Sequence, residues 1–184
     1  MPWERRAAGR YHRVMAWLAI RYSVGNEHNP GDPWGRSELV IRADGGARLD
    51  HHFSRAREPR AWAGHVDALA LSELTAALDR AGFPAVPPGP PLPPDSALRR
   101  LTVEGEDGAA RQALVSWHRA PSLPGYAEAF GLLDAVIRQL SGDAVRYTEA
   151  RAPVVRGAEA VAENLLRRVS ARREAPSVQA DRRS

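Results

Sequence analysis

The chain has no cysteine and no lysine. Without a thiol, disulfide scaffolds, thiolate zinc sites and cysteine nucleophiles are all excluded. Without lysine, all 26 basic residues are arginines, the composition expected of a GC-rich bacterial genome. The formal net charge is only +4, and nucleic-acid binding calls for a clustered basic face rather than scattered charge. Arg167, Arg168, Arg172, Arg173, Arg182 and Arg183 do gather near the end, but Glu159, Glu163, Glu174 and Asp181 interleave with them. No aromatic residue stands there for base stacking, so a nucleic-acid partner is not expected.

Long apolar runs are also missing. Val14 to Ile20 is short, Arg21 stops it, and no small-residue cleavage site follows, so it reads as a first strand rather than a signal peptide. Nothing approaches the roughly 18 apolar residues of a membrane span. The expectation is a soluble cytoplasmic protein. Residues 1–15 read as a polar lead-in, with Met15 as a second candidate start.

What is present is a 43% hydrophobic content, mostly Leu, Val and Ala, sufficient for one core. Leu18, Ile20, Tyr22 and Val24 alternate with Ala19, Arg21 and Ser23, a half-buried strand with the named apolar residues inward. Gly25 to Ser37 is too rich in Gly, Pro, Asn and Asp for a tight hairpin and reads as a surface loop. Two strands follow around Asp44-Gly45-Gly46, and Arg60 to Val66 offers a fourth. Leu71 to Phe83 reads as a helix capped by Ser72 and ended by Gly82, with Phe83 folding back onto Leu78.

Ala97 to His118 reads as a hairpin turning at Asp107-Gly108, and Tyr126, Phe130, Leu133, Ile137 and Leu140 mark a second helix. Beyond about residue 142 a helical extension (143–174) is expected, its helix running Gly157 to Glu174 on Val161, Leu165 and Val169. Residues 175–184 have the composition of a disordered tail. The fold class predicted is α+β: a two-layer sandwich, an antiparallel sheet covered by two helices, over residues 16–142.

Gly82 to Asp95, GFPAVPPGPPLPPD, is half proline. The helix before it and the hairpin after it each lack the apolar surface for a separate core. It reads as a rigid strap inside one domain, since polyproline covers about 3.1 Å per residue without internal hydrogen bonds.

The middle of the chain, roughly Ala16 to Ser141, resembles the emfourin family, small bacterial inhibitors of thermolysin-like metalloproteases. The resemblance lies in layout: a glycine-containing hairpin, a helix ending LTAALDRAGF, a proline-rich pass, a strand LTVEGEDG with its return, and a helix starting near Pro124. The Gly25 to Ser37 loop, the piece from Ser54 to Val66 and the C-terminal extension stand outside that pattern. The resemblance implies a protease inhibitor whose partner is a metalloprotease.

No catalytic constellation assembles in the sequence. No serine sits in a G-x-S-x-G elbow, and neither a P-loop nor a dinucleotide fingerprint follows a strand. Glu104 and Glu106 share a strand face, which suits acid–base work but equally suits solubility. His28, His51, His52, His65 and His118 invite a metal reading. Adjacent His51 and His52 point to opposite strand faces, however, which leaves His51 or His65 with Asp50 or Asp67 against the reading of surface or edge-strand histidines.

The expectation is therefore a non-catalytic protein-binding domain without cofactor or metal. His28, Asp32 and Trp34 in the first loop are its partner-binding residues, because an aromatic on a loop is either a plug or an anchor. The rivals are an immunity-type or regulatory partner of a neighbouring gene product, and a metal-dependent enzyme using the histidines.

Overall fold

Alternation of apolar and polar residues places four successive strands side by side. β1 (Trp17–Gly25), β2 (Arg36–Arg42), β3 (Gly46–His52) and β4 (Arg60–Val66) run antiparallel, each paired with the next. The computed structural model describes residues 17–25, 35–53, 59–91, 97–147 and 154–160. Helix α1 (Ala68–Ala81) follows β4, and the hairpin β5 (Leu98–Gly105) and β6 (Ala110–Ser116) then adds to the far side of β1. A short 3₁₀ turn at Ala120–Ser122 leads into α2 (Tyr126–Leu140), and β7 (Val155–Ala160) pairs with β4. Among the described residues the result is a mixed α+β fold, with a seven-stranded antiparallel sheet ordered β6-β5-β1-β2-β3-β4-β7.

One face of the sheet carries the core. Ile20, Tyr22, Val24, Leu39, Ile41, Leu49, Leu101 and Val103 are all buried, and so are the expected Tyr126, Phe130, Leu133, Ile137 and Leu140 of α2. Phe130 stacks on Tyr22 at 5.6 Å between ring centroids and on Tyr126 at 5.7 Å, which fixes α2 against β1. Each such side chain contributes roughly 1.5–3 kcal/mol by leaving water. Helix α1 buries Ala70, Leu74, Ala77 and Leu78. Gly125, at φ +77°, lets α2 begin directly against the backbone of Ala77 and Ala81, where a Cβ would collide.

Several expectations need correction. Leu18, expected inward, is 53% exposed, because the β1–β5 register shifts between Trp17 and Ala19 and the bulge takes Leu18 out of the alternation. Helix α1 starts one turn earlier than Ser72, after Asp67, and no side chain caps it. Ser72 is an exposed interior residue, since Ala70 already belongs to the buried stripe.

The chain beyond 142 is not all a separate extension. Val145 is fully buried in the same core, and Val155–Ala160 form a strand where the expected helix was to begin at Gly157. The pairing explains the difference: β4 offers an open edge, and Val155 lies opposite Val66. The rest of that helix, the lead-in at 1–15 and the tail at 175–184 lie outside the described residues.

The strap begins as expected. Gly82 adopts φ +69°, its N–H donates to Asp79 O at 3.1 Å, and the Phe83 N–H donates to Leu78 O at 3.1 Å, the paired bonds of a Schellman ending. Arg119 then donates to Pro87 O at 2.9 Å and Pro88 O at 3.2 Å, and Tyr126 donates to Ala85 O at 3.1 Å. Chain before the strap (β4) and after it (β5) belongs to one sheet.

Candidate functional site

Residues at the end of the sheet where β1 stops and β2 and β5 start define the most polar part of the interior. Arg99, on the inward face of β5, is only 7% exposed. Its Nη1 lies 2.9 Å from both carboxylate oxygens of Asp134 on α2, and it also donates to Tyr22 Oη. Tyr22 in turn donates to Asp134 Oδ1 at 2.8 Å. The guanidinium is sandwiched by Trp117, 4.0 Å from the ring centroid, and Phe130 at 5.2 Å, cation–π contacts that partly replace lost water. Burial holds the Asp134 carboxyl above its ordinary range, opposed by the Arg99 charge, and burial with the Asp134 charge pushes the Tyr22 phenol well up. Such a triad ties helix to sheet, and all three of its side chains are buried.

A second polar group sits at the root of the first loop. Gly25 and Gly35 face each other at φ +89° and +86°, so close that a Cβ on Gly25 would strike Gly35 O. Tyr147 donates to Gly35 O at 3.2 Å and Ser37 donates to Tyr147 at 3.2 Å, while Ser37 Oγ and His51 Nδ1 share a bond of 2.8 Å. Trp117 meets the Tyr147 ring edge-on at 5.8 Å, joining this group to the Arg99 triad. The strands bounding the loop are thus pinched and fixed. The expected partner-binding residues His28, Asp32 and Trp34 belong to the segment between these roots and lie outside the described residues.

The histidines among the described residues are dispersed. His51 is fully buried, not a surface residue, because it stands opposite Ser37 on the inward face and packs edge-on to Phe53 at 4.4 Å. Among the described residues no three His, Asp or Glu side chains converge as metal ligands. Of the paired glutamates, Glu104 is taken by Arg21 at 2.5 Å.

The other face of the sheet is uncovered among the described residues. Across its middle the register runs Leu114, Arg100, Ser23, Glu38 and Asp50, one residue per strand from β6 to β3. Two shallow depressions of about 180 and 230 Å³ lie here, with Ser23, Glu38 and Arg100 lining both. Arg21, Arg36, Arg42 and Arg48 are paired with Glu104, Glu38, Asp44 and Asp50 at 2.5–3.4 Å. Arg100 has no carboxylate partner among the described residues. Sequence reasoning did not single out Arg100; its alternation with buried Arg99 was the available signal.

No protein-family model matches the chain, and no curated protein matches it significantly. Among the described residues no helix is long and apolar enough to cross a membrane.

Proposed function

We propose that the chain is a non-catalytic protein-binding domain, a two-layer sandwich with its helices on one side of the sheet and a partner received on the other. The observation that carries this is the sheet face left uncovered among the described residues, where Leu114 (42% exposed) borders the shallow depressions around Arg100. Apolar side chains beside a few oriented polar ones suit a protein surface better than a small substrate, which needs a deeper, enclosing cleft. The pinched root at Gly25 and Gly35 supports the same reading, because a segment with fixed ends loses less freedom when it docks.

The resemblance to emfourins supplies the sharpest partner, a thermolysin-like metalloprotease occluded at its cleft, with His28, Asp32 and Trp34 as contacts. Titration of the purified full chain against such an enzyme, with hydrolysis of a quenched peptide as readout, tests it. Hydrolysis should fall to near zero at about equimolar protein. Unchanged hydrolysis at tenfold excess refutes the protease target. Recovery of one stoichiometric non-protease partner by pull-down from native lysate supports an immunity-type or regulatory pairing instead.

A further inference from the structure

Among the described residues the two edges of the sheet, β6 and β7, are built differently. The β7 edge is interrupted: its register with β4 shifts between Ala63 and His65, Gly157 takes φ +59°, and the side chain of Arg156, 80% exposed, is tied to Asp67 at 2.6 Å. These are the devices that discourage further strand pairing. The β6 edge has neither a register shift nor a residue at positive φ, although its Arg111 is likewise tied to an aspartate, Asp107, at 2.6 Å. Ala110 to Ser116 contains no proline, its register with β5 is unbroken over every pair, and its outer row carries Gln112 and exposed Leu114.

Arg100 stands directly across from Leu114, one strand in. It is exposed and is the outward arginine of β1, β2, β3 or β5 that lacks a carboxylate among the described residues. A strand added outside β6 would lie two strand spacings from β5, roughly 9.5 Å. An extended arginine and an extended glutamate together span that distance, and they would meet over the Leu114 side chain.

Resting on the protein-binding reading above, we infer that the β6 edge receives an extended, acidic segment of the partner by strand addition, with a glutamate of that segment paired to Arg100 across Leu114. Main-chain bonds to β6 supply affinity and the Arg100 contact supplies selectivity for negative charge. A basic segment is rejected by the same arginine.

The test uses the full ¹⁵N-labelled chain and three capped seven-residue peptides in which threonine alternates with glutamate, glutamine or lysine. Titration of the glutamate peptide should shift the amides of Ala110 to Ser116 and the Arg100 Nε–H. The glutamine peptide should bind about fivefold more weakly, the size of one partly exposed ion pair. Arg100→Glu, an outward substitution that should leave the circular dichroism spectrum unchanged, should invert the order and favour the lysine peptide. Absence of shifts at β6 up to millimolar glutamate peptide overturns the proposal. So do equal affinities for the glutamate and glutamine peptides, and so do β6 shifts that follow dilution of the chain alone, which assign the edge to a second copy. Peptide binding without protease inhibition rejects only the protease as target, and inhibition without peptide binding rejects only the β6 edge.

Discussion

Removing Arg99 should cost more than removing the whole buried triad to which it belongs. Arg99→Met leaves the Asp134 carboxylate, 2% exposed, facing only Tyr22. An unpaired buried charge of this kind costs about 3–5 kcal/mol. With a urea slope of about 2 kcal/mol per molar, the unfolding midpoint should fall by roughly 1.5–2.5 M. Asp134→Leu should cost a similar amount, since it strands the guanidinium between Trp117 and Phe130.

The triple variant Tyr22→Phe, Arg99→Met, Asp134→Leu removes every partner together and should sit within about 2 kcal/mol of the parent, because apolar replacements repay the desolvation the ions never recovered. Arg99 Nε is buried without a partner among the described residues, which lowers the worth of the native arrangement further. Urea titration followed by circular dichroism and tryptophan fluorescence reads all four proteins. A triple variant as unstable as the sum of the single losses would refute the reasoning.

The same triad sets a pH dependence. Asp134 is raised by burial, so its contribution to stability is largest below the ordinary carboxylate value of 3.8 and is lost as pH rises through its higher native value. The triple variant should therefore gain on the parent as pH is raised above 3.8 in urea titrations. Asp44, held down first by the Gly46 N–H, and Asp107, held down first by Arg111, act in the opposite sense: their contribution is present above 3.8 and lost as pH falls through their lowered values. Gly82→Ala and Gly25→Ala both place a Cβ at positive φ, but Gly82 faces open space whereas Gly25 meets Gly35 O. Thermal unfolding should show a loss of about 1 kcal/mol for the first and clearly more for the second. Phe130→Ala should cost about 3–5 kcal/mol by the same assay, since its ring touches Tyr22, Tyr126 and Arg99.

Much of the fold could be read from turn chemistry and periodicity. Both hairpins, the glycine end of α1 and the inward stripe of α2 are local patterns, and local patterns survive into the structure. What escaped depended on distant chain. Leu18 keeps its place in the alternation until the β1–β5 register shifts around it, and β5 lies some 80 residues away (the Arg21–Glu104 pair spans 83). Gly157 to Ala160 read as the start of a helix, yet the open edge of β4 takes Val155 to Ala160 as a strand. Of the candidate site, the loop residues His28, Asp32 and Trp34 were named for their chemistry alone. Arg99 and Arg100 are identical in sequence terms, and only the pleat separates a buried tie from an exposed contact.

The central place of β1 has a consequence for synthesis on the ribosome. β1 is made first, yet it sits between β2 and β5, and its Tyr22 bonds Asp134, which follows 112 residues later. At about 5–20 residues per second, the meander β1 to β4, complete at Val66, waits roughly 4–15 seconds before α2 is finished at Leu140 and can shield its apolar side. During that interval Ile20, Ile41 and Leu49 face water or a chaperone, and the free side of β1 awaits β5. Non-local pairing of this kind slows folding, so yield in the cell should depend on elongation rate and chaperone supply more than on the final stability of the domain.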